Sequence, residues 1–416
     1  MADRPPVTIT AKVNAAERSP ATASHSFAAL NFLFPICVLA MALLAYWPSI
    51  RDGHVDFRNS YTAGYMVRTG NSALIYNLDA TKQFQDQVVS NWNVILPFMR
   101  PAYEALFFVP FSLLSFRGAY FAFFCFNLAL IVLTNQLLHH ALPDLDRIRF
   151  APAAMFIYFP LILALLQSQN SILLLALLAG AAMNIKKGSD SRAGILVALG
   201  LFKFQYVIPI FLLFVAWRRW RFAAAFTGTA AVLAALSLWI TGRAASIEYF
   251  RTTVGLGSTL KFDTGLTLNM SLMANLHGLI SVILNGSPLV MPVTLAATAA
   301  LMIFSALIRP QNDQALYLAI PVSALVSYYM YVHDMSILLI PIAAAIASAQ
   351  MSAQPHNKRM TTLYVMAILL LVIPIVSLFI RIPAWIGQVP LLIAFTVLST
   401  LFWSARPNRN PTRTVA

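Results

Sequence analysis

The sequence predicts an all-α polytopic membrane protein, a bundle of about twelve transmembrane helices with interfacial helices in its first long loop. Three observations carry that expectation. The 416 residues are 59% hydrophobic and only 10% charged, with mean hydropathy +0.74, outside the makeup of a water-soluble globule. Apolar runs such as 32–47, 119–138, 223–240 and 361–380 can cross a hydrocarbon core of roughly 30 Å at about 1.5 Å per residue, some with their flanks added. The net charge of +14 is scattered in short clusters between those runs, which is a topogenic pattern and argues against nucleic acid as a partner.

Taken in order, residues 1–27 read as a disordered cytoplasmic tail, rich in Ala, Thr, Ser and Pro. No small-residue cleavage pattern follows the first apolar run, so that run reads as a span and not as a signal peptide. Spans are expected at 28–48, 117–138, 150–166, 168–185, 192–204, 206–217, 222–241, 288–308, 313–331, 335–350, 361–380 and 388–404. They make 28–404 one transmembrane domain, with 405–416 a second cytoplasmic tail. Twelve crossings place 17 of the 28 basic residues on one side, which reads as cytoplasmic with both termini inside. The Arg-to-Lys ratio and abundant Ala point to a bacterial inner membrane as the location. The opposite face receives the long stretches 49–116 and 243–287.

Two polar interruptions are expected at membrane depth. The runs 192–204 and 206–217 lie between two basic clusters yet hold too few residues for two full crossings, so the reversal near Phe202-Lys203-Phe204-Gln205 must be recessed. Gln167-Ser168-Gln169-Asn170 separates two short apolar runs in the same way. Backbone turning at that depth must be buried in protein or line a cavity. In the first long loop, Phe57, Tyr61 and Tyr65 at i, i+4 and i+8 predict an interfacial helix over 57–69, stopped at Gly70. A second amphipathic stretch runs from Asp79 with Phe84, Val88 and Trp92. Both are expected on the bilayer surface. The run 102–116, broken by Pro110, reads as re-entrant or interfacial.

Candidate chemistry concentrates in these polar places. Asp56 follows the first span and is either an N-cap for the 57–69 helix or a base that takes a proton from a hydroxyl. Asp52 is the competing acid. Lys203, an isolated cation at membrane depth, suits a phosphate. His333 could donate to a phosphate with Asp334 orienting it, or be structural. Gln167, Gln169 and Asn170 are either turn formers or hydroxyl-binding groups, and Arg58, Tyr61, Arg100, Tyr103 and Asp334 are further candidates for sugar or acceptor contacts. Asp144-Leu145-Asp146 reads as a turn, and His139-His140 lacks further ligands, so no metal site and no cofactor is expected. Cys37 and Cys125 read as small buried hydrophobes.

The ordered set His54-Val55-Asp56-Phe57, Tyr61-Thr62-Ala63-Gly64, Arg100-Pro101-Ala102-Tyr103, Leu165-Leu166-Gln167-Ser168-Gln169-Asn170, Leu199-Gly200-Leu201-Phe202-Lys203 and Arg218-Arg219-Trp220-Arg221 resembles glycosyltransferase family 87. Those are polyprenyl-phosphate-mannose-dependent mannosyltransferases of the GT-C superfamily. The similarity spans about residues 50–340. Two adjacent prolines after an aromatic are usual in the family near residue 101, and here Arg100 and Ala102 depart from that pattern. The resemblance implies a GT-C-like bundle and an inverting transfer, on the extracytoplasmic face, of a hexose from a polyprenyl-phosphate donor to a hydroxyl of a lipid or glycan acceptor. In it Asp56 is the base, while Lys203 and His333 stabilise the departing phosphate. Donor, acceptor and membrane lipids are the partners expected. A polytopic transporter or flippase of lipid-linked sugar is the alternative; it predicts repeat symmetry and a midplane site, where this sequence shows no convincing repeat and a long loop with interfacial helices.

Overall fold

The computed structural model describes residues 20–147, 155–255, 273–285, 287–311, 313–350, 358–380 and 384–404. Among them the regular structure is helical, without a strand, as expected of a polytopic all-α membrane protein. Seven described stretches are long and apolar enough to cross a membrane, and three shorter apolar helices accompany them. The C-terminal tail, most of the N-terminal tail and the start of the expected span 150–166 lie outside the described residues.

Helix α1 (Pro20–Asp52) starts earlier than the expected 28. The first loop then folds as α2 (Phe57–Arg68), α3 (Leu78–Val88) and α4 (Tyr103–Phe108). α2 matches the expected interfacial helix, and its chain reverses at Gly70, with φ of +76°. The first two aromatic residues of α2 face the protein interior. Phe57 and Tyr61 are buried, with Phe57 stacked on Phe123 at 5.4 Å and Tyr61 edge-on to Phe116 at 5.4 Å. The i, i+4 aromatic spacing that reads as an interfacial stripe is here a core-facing stripe, because the bundle supplies aromatic partners. Gly64 allows the close approach of α2 to α4, since a Cβ there would meet the Phe108 carbonyl carbon at 2.6 Å.

α3 is capped by Asn77, whose side chain accepts from the Ala80 N–H at 2.9 Å, and it ends before Trp92, which stacks on His54 at 4.3 Å. The run 102–116 yields only six-residue α4 and a 3-10 turn at Phe111–Leu113, about a third of a crossing by rise per residue.

The long helix α5 (Phe116–Ala141) packs on α7 (Ser171–Lys186), which follows the short α6 (Phe159–Leu166). α8 (Asp190–Leu199), a 3-10 turn at Gly200–Lys203 and α9 (Phe204–Ala216) come next. Length and composition alone would allow 190–216 to cross once. The geometry shows a hairpin instead. Arg219 Nη2 meets Asp190 Oδ1 at 2.5 Å, whereas a straight helix would separate those residues by about 40 Å. Both arms lean on the start of α10 (Trp220–Gly255): Gly194 abuts the Phe222 backbone, and Phe214 stacks on Phe222 at 4.1 Å. The turn bearing Lys203 is therefore recessed, as the spacing predicts. The same clasp gathers the basic clusters 186–192 and 218–221 at one end of the bundle, and Trp217 Nε1, donating to the Ser305 carbonyl at 3.1 Å, brings the Arg309 end of α12 (Val290–Leu307) alongside.

α10 breaks at Gly242, with φ of 75° and ψ of 174°. Beyond the short α11 (Leu276–Ile283), α13 (Ala315–Val326) ends five residues before the span limit expected at 331. From Ser327 to Tyr331 the chain is irregular because side chains from elsewhere take its carbonyls: Asn275 Nδ2 donates to Ser327 O at 2.7 Å and Tyr206 OH to Tyr329 O at 3.2 Å. Irregular backbone inside a membrane bundle is tolerated where protein groups pair it in this way. A 3-10 segment, Val332–Leu338, then leads into α14 (Leu339–Gln350), α15 (Lys358–Ile380) and α16 (Ala384–Ser404). Cys37 and Cys125 are exposed on their helices and not buried, apolar sulfur on an apolar outer face.

Candidate functional site

Three irregular segments, 167–170, 200–203 and 327–338, meet the first loop at one end of the bundle. The turn after α6 closes with Gln169 N–H donating to Ala164 O at 2.8 Å and Ser168 N–H to Leu165 O at 3.0 Å, a Schellman-type ending. Its left-handed residue is Ser168, with φ of 48°, in a conformation that costs a non-glycine residue about 1–2 kcal/mol. The consequence is a fan of polar side chains aimed at different partners.

Asp56 occupies the N-cap position of α2, yet its side chain makes no capping hydrogen bond. Its carboxylate instead accepts from Gln169 Nε2, and its main-chain N–H donates to Gln167 Oε1 at 2.9 Å. Gln167 is held in turn by the Tyr46 hydroxyl on α1. Capping therefore does not explain this acid. From its other end, Gln169 Oε1 accepts from Arg100 Nη2 at 3.4 Å, so one amide is bonded to both the acid and the guanidinium. Arg100 Nη1 also donates to Ser60 Oγ at 2.7 Å and to Glu104 Oε1 at 3.4 Å.

Deeper in, Asn170 Nδ2 donates to Glu104. Burial pushes the Glu104 carboxyl up, against the pull of Arg100, the Asn170 donor and Lys203. Lys203 is paired with Asp334, which also accepts from Ser171 Oγ at 2.8 Å. His333 Nε2 stands 3.6 Å from Asp334 and within reach of the charges of Asp56, Arg100 and Lys203. Access is graded: Asp56, Arg100 and His333 are partly exposed, while Glu104, Lys203 and Asp334 are buried.

Asp56, Gln167, Gln169, Asn170, Arg100, Lys203, His333 and Asp334 thus come together. Arg58, Tyr61 and Tyr103 do not point into this network. Arg58 is fully buried and braces the first loop, donating to Ser90 Oγ at 2.9 Å and Gln85 Oε1 at 3.3 Å, with Asp86 at 3.3 Å. Tyr61 donates to Leu114 O at 2.9 Å, and Tyr103 OH to Leu199 O at 3.3 Å. Asp52 pairs with Arg51. Asp146 meets His139 at 2.5 Å in a 3-10 turn, and among the described residues no group of three His, Cys, Asp or Glu side chains could hold a metal ion.

Glu104 escaped the sequence reading although a signal was present: it is the lone charge in the apolar run 102–116, and an ionisable residue in such a run is a site candidate by default. Ser60 and Asn127 carry no comparable signal.

A polytopic helical membrane protein with an acid, two cations and a histidine gathered at one end of its bundle has the parts of a transferase acting beside a lipid bilayer. The family model of glycosyltransferase family 87 matches residues 98–333, more than half of the chain, and the chain belongs to that family: it is a membrane glycosyltransferase. The match includes Arg100, Glu104, the 167–170 turn, Lys203 and His333; Asp56 lies ahead of it. No curated protein is significantly similar to the chain.

Proposed function

We propose that this glycosyltransferase moves a hexose, mannose by family resemblance, from a polyprenyl-phosphate donor to a hydroxyl of a lipid or glycan acceptor, with inversion. The acceptor oxygen attacks the anomeric carbon while its proton passes to Asp56; the bond from that carbon to the phosphate oxygen breaks, and polyprenyl phosphate departs with the bonding pair. The charge gained by the phosphate calls for cations at the leaving side. His333 serves there at the partly exposed mouth, with Lys203 behind it and Asp334 orienting both. Basic clusters gathered at the opposite end support an extracytoplasmic site and cytoplasmic termini.

The observation that carries this reading is the Gln169 bridge, which holds Asp56 by a neutral donor and places a guanidinium one side chain away. A carboxylate so held keeps a lone pair for a proton, while a capping carboxylate would be tied to backbone N–H groups. The test uses the full chain in sealed proteoliposomes, radiolabelled polyprenyl-phosphate-mannose and a lipid extract of the source membrane as acceptor. Wild type should form a glycosidic product of inverted configuration, and Asp56→Asn should not. Equal turnover by both would remove Asp56 from the chemistry; label crossing vesicles without a new glycoside would mean transport.

A further inference from the structure

The run Gln169-Asn170-Ser171 hands one hydrogen bond to each of three partners. The Gln169 carbonyl accepts from Asn127 Nδ2 at 3.5 Å, Asn170 Nδ2 donates to Glu104 Oε1, and Ser171 Oγ donates to Asp334 Oδ1 at 2.8 Å. Glu104, Asn127, Asn170 and Asp334 each leave an oxygen unmet: Glu104 Oε2, Asn127 Oδ1, Asn170 Oδ1 and Asp334 Oδ2 are buried without a hydrogen-bond partner among the described residues. Native proteins leave few such groups, and each needs an explanation.

The unmet atoms share one character. Carboxylate and amide oxygens accept, so what would complete them is a compact molecule carrying several donors. The amide orientation at Asn170 follows from its neighbour, because Glu104 Oε1 requires a donor and so leaves Asn170 Oδ1 free. A phosphate offers acceptors and a polyprenyl chain offers neither. A hexopyranose ring offers several hydroxyls that rotate to donate.

We propose that Glu104, Asn127 and Asn170 form the subsite for the hydroxyls of the transferred hexose, on the buried side of Asp56 and Arg100. All three are buried, with exposures of 3%, 0% and 2%, so the ring reaches them as the donor displaces the side chains that cover them. Arg100, a position where this chain departs from the family pattern, ties Glu104 to Gln169 and thereby to Asp56, so the ring and the base are set by one network. The assignment rests on the proposed donor chemistry and adds to it which face of the site the sugar occupies.

The experiment measures equilibrium binding of three probes to the full chain in nanodiscs: citronellyl-phosphate-mannose, its single-deoxy analogues, and citronellyl phosphate without sugar. Glu104→Gln keeps an oxygen for Asn170 and the side-chain shape. The Kd for the mannosyl probe should rise about tenfold or more, the worth of a hydrogen bond to a charged group, with citronellyl phosphate unaffected. At least one deoxy analogue should bind wild type correspondingly worse and lose nothing more in the variant. Equal Kd values for the mannosyl probe, an equal loss for both phosphates, or fully additive deoxy and variant losses would each overturn the subsite. So would a loss seen only in the acceptor KM, which would give the subsite to the acceptor sugar. If the binding pattern holds while wild type transfers no mannose, the donor reading fails and the sugar subsite stands; transfer without the pattern gives the reverse.

Discussion

Asp56 and Asp334 are both aspartates that stand at the edge of a helical segment, and they are held in opposite ways. Asp334 is 1% exposed, clasped by the Lys203 ammonium and the Ser171 hydroxyl. Asp56 is partly exposed and accepts from a primary amide. An acid paired with a buried cation cannot take a proton without stranding that cation, whereas an acid held by a neutral amide can. The proposed mechanism divides the labour accordingly: one carboxylate fixes the deep half of the site, and the other acts at its mouth.

The largest expected effect follows from that division. Asp56→Asn should lower turnover by about 10²–10⁴-fold, the range of a lost general base, with the melting temperature of the purified protein unchanged because no cap is lost. Asp334→Asn should behave differently. It leaves Lys203 buried without its counter-charge, at about 3–5 kcal/mol, read as a large drop in melting temperature. The double variant Lys203→Met, Asp334→Leu should recover much of that stability, since a matched apolar pair removes the stranded charge. If Asp334→Asn is fully stable and only slow, the two acids are more alike than the geometry indicates.

A smaller effect is expected at the bridge. Gln169→Leu fills the space but no longer donates to Asp56 or accepts from Arg100, so the acid loses its orientation and not its existence. Turnover should fall about tenfold, the worth of one charge-assisted hydrogen bond, with the pH dependence of the rate retained. A loss as deep as that of Asp56→Asn would make Gln169 part of the chemistry itself.

These outcomes bear on what the sequence could convey. The recessed turn at Lys203 was legible because residues between two basic clusters were too few for two crossings, and length is a property of the chain. The 167–170 turn was legible for the same reason. The partners of those turns were not. Nothing local says that Lys203 meets Asp334, 131 positions away, or that Gln169 reaches back to Asp56 across 113. For Asp56 the pattern left capping and catalysis both open; the third dimension shows the side chain turned to Gln169 with no capping hydrogen bond, and the proposed role as base builds on that. Arg58 and Tyr61 show the converse. Their nearness in sequence to Asp56 suggested the site, but a helix turns about 100° per residue, and their faces look to Gln85, Ser90 and Leu114 instead.

The smallest effect is therefore expected three positions along the chain from Arg58, at Tyr61, and it bears on whether α2 serves the site through one residue or through a whole face. Tyr61→Phe removes a hydroxyl that donates to the Leu114 carbonyl at 2.9 Å and leaves the ring packed against Phe116. The loss should be about 1 kcal/mol, the net value of one hydrogen bond, and it should appear in thermal stability alone. kcat and KM should match wild type, because the hydroxyl faces the turn after α4 and not Gln169. A change in KM for donor or acceptor would bring Tyr61 back among the substrate contacts, and with it the whole outward-reading stripe of α2. An unchanged KM with a lowered melting temperature would confine the chemistry of this helix to its first residue's neighbour, Asp56, and make the rest of α2 the wall that holds it in place.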